Sequence, residues 1–201
     1  MDSQGSADGR ASEKADSESA RKKRAKWKRT TTGPVAPPAL LDELTGLPNR
    51  RFLEGTLHAN LEELRRYGRG FGVLFVDVDN MNDVNNLLGR RLGDKVIRSI
   101  ATSLNKSTRP FDIVGRAGGE EFLAIIANVD NETLKTVGDK LCKGVKDLSI
   151  TLPSDTVSVT VSIGGVLAKP DDTKEGLIKR AYKQMRTSKE SGRNCVTIAS
   201  E

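Results

Sequence analysis

The turn Gly118-Gly119-Glu120-Glu121-Phe122 holds the residues best suited to chemistry. Two glycines give a tight hairpin its backbone freedom, and two adjacent carboxylates precede an apolar strand. Carboxylates at a hairpin tip add little to packing and are well suited to a hard metal ion. A second acidic pair, Asp77 and Asp79, ends the apolar run Gly72-Val73-Leu74-Phe75-Val76. Alternation along a strand puts both on one face if the strand persists through them. Asp79 reads first as a cap for the helix expected after it. Asp77 lies deeper in the run, and it meets Glu120 and Glu121 if the hairpin pairs beside its strand. Three unpaired carboxylates would repel and take up protons; with a divalent metal they form a phosphate-handling centre. The single histidine, His58, falls in an expected helix as a surface or packing residue, which leaves acid–base work mainly to carboxylates or lysine.

The elements that must position these groups alternate in character. Apolar periodicity predicts helices over 49–67, 80–88, 93–104, 131–148 and 173–190. Strands are expected over 72–78, 113–116, 122–127, 157–167 and 195–199, with the second and third flanking the glycine turn as a hairpin. This order implies an α+β fold, a mostly antiparallel central sheet flanked by helices, close to a ferredoxin-like or palm arrangement. Residues 1–39 read as a disordered, basic tail and linker, and residues 40–201 as the folded domain.

Composition bounds the class. The chain has 201 residues, 36% apolar and 30% charged, as expected of a globular protein. No apolar run approaches membrane-spanning length, and the N-terminus lacks the apolar core of a secretion signal. Cys142 and Cys195 are far apart and lack metal spacing, so they read as reduced thiols in a cytoplasmic protein. Residues 1–33 carry nine basic and five acidic groups, leaving only +2 of the net +6 charge for the rest. A near-neutral domain does not point to nucleic-acid binding through its folded face. The run Arg21-Lys22-Lys23-Arg24-Ala25-Lys26-Trp27-Lys28-Arg29 is either a solvated charge run or a basic arm with one aromatic anchor. As an arm it would contact an anionic surface, such as the inner face of a membrane, or a protein partner.

Five stretches together resemble the GGDEF family of diguanylate cyclases, in its GGEEF form. They are Asp42-Glu43-Leu44-Thr45-Gly46-Leu47-Pro48-Asn49-Arg50, Phe75-Val76-Asp77-Val78-Asp79, the segment from Asn85 through Gly89 and Gly93 to Asp94, the Gly118–Phe122 turn, and Ser188-Lys189-Glu190-Ser191-Gly192-Arg193-Asn194. The resemblance spans about residues 40–200, with the motifs in family order. It implies that two GTP molecules condense into cyclic di-GMP with loss of two pyrophosphates, each held by one half-site of a homodimer. It implies Mg2+ or Mn2+ held by Asp77, the Val78 carbonyl and Glu120, with Glu121 supporting a second ion and Glu120 as general base. Gly118 and Gly119 form the substrate turn. Lys189 and Arg193, at i, i+4 if the helix reaches them, would hold terminal phosphates; as residues alone they also suit an exposed helix end. Asn85 and Asp94 match guanine readers, since a carboxylate accepts from guanine N–H groups that adenine lacks; Asp94 also suits a cap after Gly93. Arg109-Pro110-Phe111-Asp112 resembles the family's RxxD motif, at which Arg109 and Asp112 would bind product and restrain the dimer; a surface Arg–Asp pair at a turn is the plainer reading.

The chain departs from the family pattern in two helices. Met81, Asn82, Asn85-Asn86 and Gly89-Arg90 replace an aromatic, a lysine, Asn-Asp and Gly-His, with Arg90 left to meet phosphate or base. Tyr182, Gln184 and Arg186 stand where Asp, Ala and Tyr are usual. These changes keep open a second expectation, a non-catalytic regulator that binds GTP or cyclic di-GMP. Upstream of residue 40 there is room for a tail but not for a sensory domain. Docking of the tail, or a longer parent chain, is the expected route to pairing half-sites.

Overall fold

The computed structural model describes residues 36–151 and 156–200. The expected basic arm lies outside the described residues. In chain order the elements are a 3-10 turn (Pro38–Leu40), α1 (Arg50–Tyr67), β1 (Phe71–Val78), α2 (Met81–Leu88), α3 (Arg90–Ser107), β2 (Ile113–Gly118), β3 (Glu121–Ala127), α4 (Asn131–Lys146), β4 (Ile150–Thr151), β5 (Thr156–Val157), β6 (Val161–Leu167), α5 (Lys174–Glu190) and β7 (Val196–Ile198). Five strands form one sheet in the order β2-β3-β1-β6-β7. Every pair is antiparallel except β6 with β7. The α+β fold with a mostly antiparallel sheet is the one expected.

Local chemistry sets the element ends. The Asn49 side chain accepts the Phe52 N–H at 3.1 Å and starts α1, which stops at Gly68 in the left-handed region. All eight residues of β1 are buried, as its unbroken apolar run demands of a central strand. Alternate side chains of β1 serve two cores. Phe71, Val73 and Phe75 meet leucines of α1 and Leu177, Ala181 and Met185 of α5. Leu74, Val76 and Val78 pack with Phe122 and with apolar residues of α3 and α4.

Two element boundaries differ from expectation. Gly89 alone separates α2 from α3, so Arg90 opens α3 and the helix begins before Gly93. The strand expected over 157–167 is broken. Thr156–Val157 pairs with Ile150–Thr151 as a separate hairpin, and the main-sheet strand begins only at Val161. Pairing of Ile150 with Val157 satisfies that backbone locally and leaves Thr160 free to turn toward β1, where its hydroxyl is used.

Glycine is required where α5 lies on β6. A Cβ at Gly164 would run into the α5 backbone at Met185 and Ala181. Gly55, in α1, has open space where its Cβ would be. Gly164→Ala is therefore expected to lose stability near the upper end of the roughly 1–3 kcal/mol range of overpacking. Gly55→Ala is expected to gain up to about 1 kcal/mol of helix propensity. Urea denaturation of the two variants beside the wild type reads both signs.

Candidate active site

The register of the sheet builds the site. Asp77 pairs directly with Glu121 across β1 and β3, and with Ser162 across β1 and β6. Asp77, Glu121 and the α5 residues share one face of the sheet, because Phe75 and Leu123, two residues back and two residues on, both belong to the α1–α5 core. The Val78 N–H donates to the Glu120 carbonyl at 3.3 Å, closing the mouth of this ladder. The hairpin loop is Gly119-Glu120, since Gly118 pairs with Glu121. Gly119 has φ +48°, the first-position conformation for which a two-residue hairpin selects glycine.

Asp77 is 7% exposed. Its Oδ1 lies 2.5 Å from Lys189 Nζ in a partly buried ion pair, its one partner among the described residues. Burial pushes the Asp77 carboxyl up from its ordinary range, against the opposing pull of Lys189. Glu121 is also pushed up, first by burial and then by the charges of Asp77 and Glu120. The site is thus a partly buried, like-charged pair with one cation drawn in. Among the described residues, no group of three or more His, Cys, Asp and Glu is already gathered for a metal ion. Of the three-carboxylate convergence expected from sequence, the structure shows Asp77 and Glu121 facing each other across the strands.

The donor set nevertheless fits a hard divalent cation. It is all oxygen, it is anionic, and among the described residues its buried Asp77 oxygen is met only by the Lys189 cation. Lys189 is held in place by its neighbour: the Ser188 hydroxyl donates to the Ile163 carbonyl at 2.7 Å and meets the Thr197 hydroxyl at 2.7 Å. Arg193 does not stack on Lys189 along one helix. The helix ends at Glu190, and Gly192, Arg193 and Asn194 all have positive φ, which turns the chain back toward the sheet.

Asp79 is not a helix cap. The α2 cap position is Asn80, in the left-handed region and without a side-chain cap bond. Asp79 is buried and accepts from the Thr160 and Ser162 hydroxyls, each at 2.7 Å, and from the Asn194 N–H at 3.1 Å. It ties β1 to β6 and docks the turn that carries Arg193. The Asn85 side-chain amide oxygen occupies the space a Cβ at Gly93 would take. The structure therefore brings Asn85 to the segment that carries Asp94. Asp94 is exposed and lies inside α3, so it caps nothing. Arg90, also exposed, opens the same helix.

Arg109 and Asp112 sit apart, in the turn before β2, with the strand between them and Gly118. Asp112 is buried rather than a surface pair partner. One oxygen accepts the Arg109 backbone N–H at 3.0 Å, and the other the Ala127 N–H at 3.4 Å. Its carboxylate shapes the turn that presents the exposed Arg109 side chain.

One functional residue was not singled out from the sequence. Arg116 donates to the Gly119 carbonyl through Nε at 2.8 Å and Nη2 at 2.6 Å, and its Nη1 meets both Asp42 oxygens at 3.2 and 3.3 Å. It clamps the hairpin loop to the opening motif. Asp42 and Arg116 are 74 positions apart, so only their opposite charge within two motif segments hints at contact.

Residues 39–195 match the family described as diguanylate cyclase, GGDEF domain. The chain is 35% identical over 162 residues to the diguanylate cyclase DgcZ of Escherichia coli K12, covering 79% of this chain and 53% of that protein. It is 33% identical over 161 residues to the response regulator PleD of Caulobacter vibrioides, covering 79% of this chain and 36% of PleD. The chain thus spans about half or less of these relatives. The solved GGDEF domain of DgcB from Caulobacter crescentus, in complex with c-di-GMP, superposes with a TM-score of 0.77 at 28% identity, covering 82% of this chain and 98% of that one.

The Glu121 geometry sets a pH dependence. A carboxyl raised in the fold lends stability that is complete below its unfolded pKa, near 4.5, and is lost as pH rises through the folded value. Without divalent cations, Glu121→Gln is therefore expected to melt increasingly above the wild type as pH rises from about 4 to about 7.5. Calorimetry of both proteins measures the gap; a gap constant with pH contradicts the assignment.

Proposed function

The chain belongs to the diguanylate cyclase, GGDEF-domain family, and we propose that it condenses two GTP molecules into cyclic di-GMP and two pyrophosphates in a homodimer. The observation that carries this reading is the opposed Asp77–Glu121 pair at the signature turn, with Lys189 drawn against Asp77 at 2.5 Å. A partly buried anionic pair with one cation beside it suits a phosphate-transfer centre better than a structural role.

In this reading each chain supplies half of the machinery. Asp77, the Val78 carbonyl and Glu120 would hold Mg2+ or Mn2+, with Glu121 beside a second ion. Bound there, the cation offsets phosphate charge and makes the α-phosphorus more electrophilic. Asn85 and Asp94 receive the guanine edge, and Asp94 selects GTP over ATP by accepting from N–H groups. Lys189 and Arg193 take the terminal phosphates, Lys189 by leaving Asp77 and Arg193 from the turn that Asp79 docks through Asn194. Glu120, at the exposed loop, accepts the proton of the ribose 3′-hydroxyl. The hydroxyl oxygen bonds to the α-phosphorus of the facing GTP as pyrophosphate leaves, and the same exchange in reverse closes the ring. The facing geometry requires two chains, because the donor and acceptor nucleotides occupy separate half-sites.

Product restraint belongs to the turn that Asp112 shapes, with Arg109 as the residue that meets product phosphate. Among the described residues no helix is long and apolar enough to cross a membrane. Cytoplasmic placement, with the basic run 21–29 contacting an anionic membrane face, follows from composition and charge.

Incubation of the full chain with GTP and Mg2+ is expected to yield cyclic di-GMP by chromatography. Glu120→Gln is expected to lower the rate by roughly 100-fold or more. GTP binding without product at high protein concentration would instead make the chain a nucleotide-binding regulator. In the same assay Arg109→Ala is expected to continue past the product level at which the wild type stalls; an unchanged plateau removes that turn from regulation.

A further inference from the structure

Helix α5 carries an exposed stripe that the cyclase chemistry does not use. Lys179, Tyr182, Lys183 and Arg186 recur at helical i, i+3, i+4 and i+7 spacing and share one face. Tyr182 and Arg186 are two of the positions at which this helix departs from the family pattern. Lys179 and Lys183 have no carboxylate in ion-pair range among the described residues, and Arg186 has only Glu190, at 3.6 Å along its own helix. Like charges one turn apart disfavour a helix unless an anion lies across them.

Two hollows meet on this stripe. The first, of about 420 Å³, is walled by Leu53, Phe75, Leu123 and Ile178, with Glu121 at its side and Glu54 already ion-paired to Arg50 at 2.9 Å. The second, of about 540 Å³, runs beside Lys183 and Arg186. Lys179 and Tyr182 line both. Tyr182 is 40% exposed, and its ring stands edge-on to Phe75 with centroids 5.4 Å apart. An apolar slot beside an anchored aromatic ring suits a planar group. A carboxylate at the slot accepts N–H donors, and a row of cations outside it suits phosphate. Each volume is in the range of small-ligand sites.

We propose that this face is a second nucleotide site, adjoining the GTP half-site and sharing Glu121 with it. The base enters the apolar hollow beside Tyr182 with its N–H edge toward Glu121, and the phosphates lie along Lys179, Lys183 and Arg186. A bare polyphosphate leaves the apolar hollow empty. A neutral apolar ligand leaves the cations unanswered. The site abuts the catalytic pair at both ends: it contains Glu121, and Arg186 is near enough to Asp77 to act on its charge. Occupancy is thus placed to change how the half-site holds its cation. The proposal does not depend on the chain being an active cyclase.

ATP is the probe, because adenine lacks the N–H pair that suits Asp94. An amide NMR titration of the full chain with ATP and Mg2+ is expected to shift residues 179–186 in a saturable manner. Lys183→Glu, at an exposed residue outside the catalytic set, is expected to weaken that binding about tenfold while cyclic di-GMP formation from GTP is kept. Inorganic triphosphate is expected to bind this face more weakly than ATP. Shifts confined to Asn85, Asp94 and Asp77, or none on α5 at roughly 5 mM ATP, overturn the proposal. So do α5 shifts that survive Lys183→Glu, and triphosphate binding as tight as ATP.

Discussion

Antiparallel pairing of β1 with β3 places Asp77 directly opposite Glu121, and two carboxylates so placed repel. Burial pushes both carboxyls upward, and the charges of Asp77 and Glu120 add to the shift at Glu121. A ladder position of this kind favours Val, Ile or Thr. Carboxylates there oppose folding unless a positive charge is supplied. Lys189 supplies it at 2.5 Å from Asp77, and the same need defines what the site will take from solution. In the proposed function the same electrostatic demand draws in metal-bound phosphate.

The rest of the molecule holds that fact in place. The absence of a side chain at Gly164 lets α5 lie directly on β6, and Ser188 fixes the rotation of the helix at Lys189. Asp79 looks like a partner of Asp77 but has a different task. Two hydroxyls and a backbone N–H satisfy it, so it joins three segments without needing a metal. Arg116 does the same for the hairpin loop, holding the Gly119 carbonyl against the opening motif through Asp42. Of the two acids at this strand end, Asp79 is therefore satisfied by hydrogen bonds and Asp77 by an ion pair with Lys189.

The sheet and its helices were legible because their signals are local. An unbroken apolar run marks the buried strand β1, a Gly-Gly pair marks the hairpin, and Asn49 and Gly68 mark the ends of α1. The Asp77, Glu121 and Lys189 group was legible through motif order, although its pairing register was not. What stayed hidden depends on distant partners. Arg116 with Asp42, and Thr160 and Ser162 with Asp79, meet only after the sheet forms. The end of α5 at Glu190 was legible, but Ser191 and Gly192 give no sign that Arg193 and Asn194 will also take positive φ. The break before β6 was missed because Thr156-Val157 reads as strand either way, and only its pairing with Ile150 shows which sheet it joins.

The central claim is that Asp77 is kept open for a cation that Lys189 replaces when none is bound. Crystals of the full chain grown with Mn2+ and a non-hydrolysable GTP analogue test it through anomalous scattering. The account predicts a metal peak bonded to an Asp77 oxygen, with Lys189 moved off that carboxylate onto phosphate. A nucleotide bound with no peak at Asp77, and Lys189 still paired to it, would contradict the account.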